Sequence, residues 1–110
     1  QTNEVLNALE KDLKYEQVVL SVDGGMVVNN LLMQYQSDIS NIRIQAPNLT
    51  EVTAYGVALA SYLFISNIAP SSFSNSKASL KSWTPNMSVE KRQEFLTSWN
   101  KAIEKAKNWI

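Results

Sequence analysis

Two glycines, an aspartate and an asparagine carry the most usable chemistry of this chain. In Val22-Asp23-Gly24-Gly25 an apolar run ends in a double glycine, and Asn29 follows one helical turn later. Glycines at such a turn let a ligand approach bare backbone where a Cβ would block it. A helix that starts there offers unpaired N–H groups and the positive end of its dipole, which suit a phosphate. With Gly25 at the first helical position, Asn29 falls on the same face, so backbone at Gly24-Gly25 and the Asn29 amide can touch one ligand. A phosphate or ribose would lie by the glycines, and the amide could pair with the donor and acceptor of an adenine edge. The plainer reading is a tight strand-to-helix turn with Asp23 as cap. The Walker A loop and the GxGxxG fingerprint are both excluded, because the lysine and the third glycine are missing.

What the chain lacks narrows the chemistry further. It has no histidine and no cysteine, which removes thiol nucleophiles, Ser-His pairs and the usual zinc ligands. No catalytic constellation is left within it, and no metal-ligand set. Ten basic and ten acidic residues cancel, so no overall field draws in nucleic acid or an anionic membrane. Any phosphate site is therefore local. The absence of cysteine and of a basic-then-apolar leader points to the cytoplasm. The most apolar stretch, Ala54 to Ile68, is broken by Gly, Ser and Asn and is shorter than the roughly 20 apolar residues that span a bilayer.

The elements that must position the turn follow from periodicity. Val5, Leu6, Leu9 and Leu13 share one face of a first helix over Thr2 to Leu13. Val18 to Val22 reads as a strand buried on both faces, as in a parallel sheet. Val27 to about Ser40 reads as the second helix. Ile42-Arg43-Ile44-Gln45 alternates apolar and polar before Ala46-Pro47, as a short strand does. Strand, helix and strand make a parallel crossover. Asn48-Leu49-Thr50-Glu51 has capping-box spacing ahead of a third helix, expected to be buried nearly all round. Residues 66–88 read as a surface connection with Phe73, Leu80 and Trp83 as anchors. Residues 89–110 read as a terminal amphipathic helix docked through Phe95, Leu96, Trp99, Ile103 and Trp109.

Val22-Asp23-Gly24-Gly25, Asn29, Leu32-Met33-Gln34, Gln36, Asp38-Ile39, Ala46-Pro47, Glu51-Val52-Thr53-Ala54 and Gly56 together resemble the carboxyl-terminal domain of glycerol kinases, in the FGGY carbohydrate-kinase family. The start, Gln1 to Asp12, is similar to the helix before that family's second glycine motif. Trp83-Thr84-Pro85-Asn86-Met87 and Trp99-Asn100-Lys101-Ala102 resemble its last segment. The Leu-Met-Gln-x-Gln-x-Asp run is the specific part, whereas the double glycine belongs to actin-like ATPases generally. Tyr55, Ser61 and the serine-rich stretch Ser66 to Ser82 depart from the pattern.

The resemblance implies an α/β fold, part of an actin-like ATPase lobe (ribonuclease H-like) with short parallel strands and packed helices, residues 1–110 being a partial nucleotide-binding lobe. It implies ATP and Mg2+, bound mainly with residues outside this chain, and transfer of the γ-phosphoryl group to glycerol held by the missing lobe. Gly24, Gly25 and Asn29 would be the nucleotide-binding residues, and the parent enzyme a homo-oligomer. The fragment alone is expected to be inactive. Xylulose or gluconate kinases of the same family, or a non-catalytic helical interaction module, are the alternatives. Gln34, Gln36 and Asp38 are expected to serve helix packing and hydrogen bonding.

Overall fold

The computed structural model describes residues 1–14, 19–72 and 79–107. Val18, Phe73 and Trp109, named above, lie outside the described residues, as do residues 108–110 of the expected terminal helix. The sheet forms around the alternating segment Ile42 to Ala46. Ile42, Ile44 and Ala46 are buried while Arg43 is exposed, as expected of a strand with one covered face.

This strand, β2 (Arg43–Pro47), lies at the centre of a three-stranded sheet in the order β1-β2-β3. β1 (Val19–Ser21) runs parallel to it with Leu20 opposite Ile44. Helix α2 (Asn30–Ser40) crosses between the two. It ends at Asn41, whose φ of 56° is left-handed; asparagine tolerates this region better than most residues. Strand β3 (Leu80–Trp83) is antiparallel to β2, with Trp83 opposite Ile44 and Leu80 opposite Pro47. Sequence reading places β3 inside the surface connection. The strand is short and set in a serine-rich stretch, and it owes its structure to pairing with β2 rather than to a pattern of its own. The anchoring role expected of Trp83 is borne out.

The core is small. Val27, Met33, Ile44 and Ala46 are buried together, with Leu20, Val22 and Trp83 packed against them. Burial of β1 on both faces is corrected: Val19 and Ser21 are exposed and only Leu20 is partly covered. Leu20 packs against the core on one face of the sheet, and Val19 and Ser21 on the other face are not covered by the described residues.

α1 (Thr2–Leu13) and α4 (Val89–Lys107) flank α2. Trp99 Nε1 donates to Glu4 Oε1 at 3.0 Å, and Tyr35 meets Phe95 edge-on with ring centroids 5.9 Å apart. Both contacts use the aromatic edge of α4. The apolar face of α1 is covered mainly at Leu6; Val5, Leu9 and Leu13 remain exposed. α3 (Val52–Ile65) departs most from expectation. Only Leu63 is buried on it, whereas Val57, Tyr62, Phe64 and Ile65 are exposed. Its capping box does not form, since Glu51 occupies the cap position without a side-chain hydrogen bond.

Candidate functional site

The double glycine lies just beyond β1, and its two members behave differently. Gly24 has φ of 94°, a conformation close to glycine-only that any side chain would strain. Gly25 has no such φ, and a Cβ built on it would meet nothing within 4 Å. Nothing within the described structure requires Gly25 to be glycine.

The glycines do not open α2. They start a short 3-10 turn, Gly25–Val28, in which the Val27 N–H donates to the Gly24 carbonyl at 3.2 Å and the Asn29 N–H to the Met26 carbonyl at 3.1 Å. The turn exists because Val27 must reach the core, where it is buried. α2 begins only afterwards, at Asn30. The expectation of a helix from Val27, with Gly25 at its first position, is thus corrected. The dipole end of α2 lies at Asn29 and Asn30, not at the glycines.

Asn29 is the cap of α2. Its Oδ1 accepts from the Leu32 N–H at 3.1 Å, and its carbonyl accepts from Met33 N at 3.1 Å. That bond engages one lone pair of Oδ1, so an adenine contact through this oxygen would share it with the cap. The Nδ2 hydrogens have no partner among the described residues and remain available as donors. Asp23 is exposed and makes no capping bond among the described residues; Asn29 takes the capping role instead. Asn30 is exposed.

The turn is open surface and not an enclosed pocket. An open cleft of about 640 Å³ runs along α3, lined by Gly56, Leu59, Ala60, Leu63 and Phe64 among others. A second, of about 450 Å³, lies between α1, α2 and α4 and includes Tyr35, Phe95 and Trp99. Neither is lined by Gly24, Gly25 or Asn29. Among the described residues no three Asp, Glu, His or Cys side chains converge to hold a metal ion. No helix among the described residues is long and apolar enough to cross a membrane.

Behind the turn, α2 carries a group of polar contacts that sequence reading assigned to packing and hydrogen bonding. Gln34 Nε2 donates to Asp38 Oδ1 at 3.0 Å and to the Thr84 carbonyl at 2.8 Å. The Ser37 hydroxyl, fully buried, lies 2.8 Å from the Ile42 carbonyl and 3.2 Å from that of Trp83. That reading is borne out for Gln34 and Asp38. Ser37 was missed, because a serine within a helix gives no sequence signal that its hydroxyl faces inward.

Residues 1–63 match the family model of the FGGY family of carbohydrate kinases, C-terminal domain. Over 110 residues the chain is 41% identical to a glycerol kinase of Azorhizobium caulinodans, covering 99% of the chain and 22% of that relative. It is 35% identical over 116 residues to a glycerol kinase of Petrotoga mobilis, again with 22% of the relative covered. The fold is similar to the crystal structure of Plasmodium falciparum glycerol kinase with ADP, at a TM-score of 0.69 and 31% identity. That match covers 94% of this chain and 21% of the other. The chain thus spans about a fifth of the length of the relatives it matches. Its α/β architecture is that of the actin-like ATPase fold.

Proposed function

The chain belongs to the FGGY family of carbohydrate kinases, and from that premise we propose that it supplies part of the ATP-binding lobe of a glycerol kinase, with Gly24, Gly25 and Asn29 against the nucleotide. The observation that carries this reading is Gly25. It is exposed, a Cβ on it would meet nothing within 4 Å, and the donors of Asn29 Nδ2 lie one turn further along the chain. Beside the left-handed Gly24, a glycine here leaves the backbone of the turn open to a ligand.

In this reading the Gly24 φ aims the turn and Gly25 leaves room for a phosphate or ribose. Asn29 Nδ2 donates to an acceptor of the ligand while Oδ1 keeps α2 capped. Phosphoryl transfer is mainly a matter of positioning and charge stabilisation. The chain's share is therefore to hold ATP, while residues beyond it bind Mg2+ and glycerol and perform catalysis as the lobes close on one another. The parent enzyme would work in the cytoplasm as a homo-oligomer. The radius of gyration, 18.5 Å against about 13 Å for a compact domain of this length, supports a partial lobe in place of a self-contained one.

The test is a titration of the folded chain with ADP followed by amide chemical shifts. Signals of Gly24, Gly25 and Asn29 move with nucleotide, and Gly25→Ala folds unchanged but loses the response. Saturating ADP that leaves those amides untouched in a folded sample overturns the reading. Turnover of glycerol, in preference to xylulose or gluconate, by the full-length parent identifies the substrate.

A further inference from the structure

Asp38 is buried, and the nucleotide reading gives it no ligand to touch. Its Oδ1 accepts three hydrogen bonds, from Gln34 Nε2 at 3.0 Å, Asn86 N at 2.6 Å and Met87 N at 3.2 Å. One residue further along α2, the Ile39 carbonyl accepts from Arg92 Nε at 2.8 Å. With the Gln34 and Ser37 contacts to Thr84 and Trp83, the carboxyl-terminal half of α2 is fastened to residues 83–92 along one seam. A carboxylate that gathers backbone N–H groups makes bonds stronger and more directional than neutral pairs do.

We propose that Asp38 is a positioning residue for the glycine turn, a role that rests on the nucleotide reading above. Met33 is buried in the core between the two ends of α2, four residues after Asn29 and five before Asp38. At a rise of about 1.5 Å per residue the two lever arms are roughly 6 and 7.5 Å. A displacement of about 1 Å at Asp38 then tilts α2 by on the order of 8° about Met33, and moves its cap by nearly as much. Asn29 moves with the helix because its side chain and carbonyl are both bonded to the first turn. A binding group displaced by this much loses much of its effect.

Residual dipolar couplings on the 110-residue chain, with and without ADP, test this. Asp38→Ala turns the α2 N–H vectors against those of β2 by an angle on the order of 8° and weakens ADP binding by about tenfold. Asp38→Asn keeps one acceptor oxygen and replaces the other with an NH2 donor, removing the charge with less loss of contact than alanine, so it gives a smaller rotation in the same sense. If α2 keeps its orientation while only Asn86 and Met87 shift, Asp38 merely ties down a loop and the proposal falls. Should the alanine variant not fold, the asparagine variant decides by the same criterion. If α2 rotates but the unmodified chain shows no ADP response, the nucleotide reading fails while the control of Asn29 by Asp38 stands.

Discussion

α2 and α3 are both helices of moderate length that follow a strand, yet the chain treats them in opposite ways. α2 mixes apolar and polar residues and uses both. Met33 enters the core, Ser37 is buried against the carbonyls of Ile42 and Trp83, and Asp38 against N–H groups of the segment after β3. α3 is apolar on every side and almost wholly exposed, with Phe64 at 87% and Ile65 at 81% of their full accessibility. Apolarity therefore does not by itself predict burial within a chain. Burial needs a facing surface, and the residues that specified one here were polar side chains with partners 46 to 50 positions away. A helix without a polar face loses free energy in water unless something covers it.

The sharpest way to break this contrast is to truncate one large apolar side chain in each region. Ile44 is fully buried, beneath α2 and opposite Trp83. Ile44→Ala should cost about 2–5 kcal/mol, the usual range for emptying a closed core site, against a total stability of roughly 5–15 kcal/mol for a domain of ordinary size. Urea unfolding followed by tryptophan fluorescence reads this directly, because Trp83 packs on the same cluster. A cost below about 0.5 kcal/mol would mean that the small sheet is not the stabilising centre.

The same truncation in α3 should do almost nothing to stability. Phe64→Ala removes a side chain of comparable size from solvent, so the midpoint should move by no more than about 0.5 kcal/mol. Self-association, read by light scattering against concentration, should fall, since exposed aromatic surface favours contacts between copies. A cost well above 1 kcal/mol would show that α3 is packed in solution and would erase the contrast.

Much of this division was legible in the sequence, but not all of it. The period of α1 and α4 and the alternation of Ile42 to Ala46 gave those elements directly, because one covered face imposes one period. The start of α2 was misplaced, although Asn29 is a favoured capping residue. The glycines gave the stronger signal, and the need of Val27 to reach the core, which makes a separate 3-10 turn, has no sequence pattern. Of the candidate site, Gly24 and Gly25 fall at one turn as expected and Asn29 follows it. The use of Asn29 Oδ1 as a cap depends on a hydrogen bond to Leu32 that spacing alone does not decide. β3 depends on pairing with β2, and α3 was placed correctly as a helix but wrongly as a buried one.

The smallest expected effect sharpens the comparison at the start of α4, just beyond the seam. Ser88 caps this helix, its Oγ accepting from Lys91 N at 3.3 Å. The Glu90 carboxylate is held below its ordinary value of 4.5 by a hydrogen bond from its own backbone amide and, second, by the Ser88 hydroxyl. A carboxyl whose folded pKa is depressed stabilises the fold above its unfolded value, and that contribution fades as pH falls through the folded one. Glu90→Gln should therefore lower the melting temperature slightly at neutral pH, and the difference should shrink as pH falls below 4.5 and vanish once it has passed through the lower folded value. Glu90 is fully exposed, so added salt should shrink the effect as well. A difference that persists in acid would assign it to the shape of the side chain and not to its charge. In that case Ser88 alone, and not the local charge, would hold the first turn of α4 in place to receive Arg92 against α2.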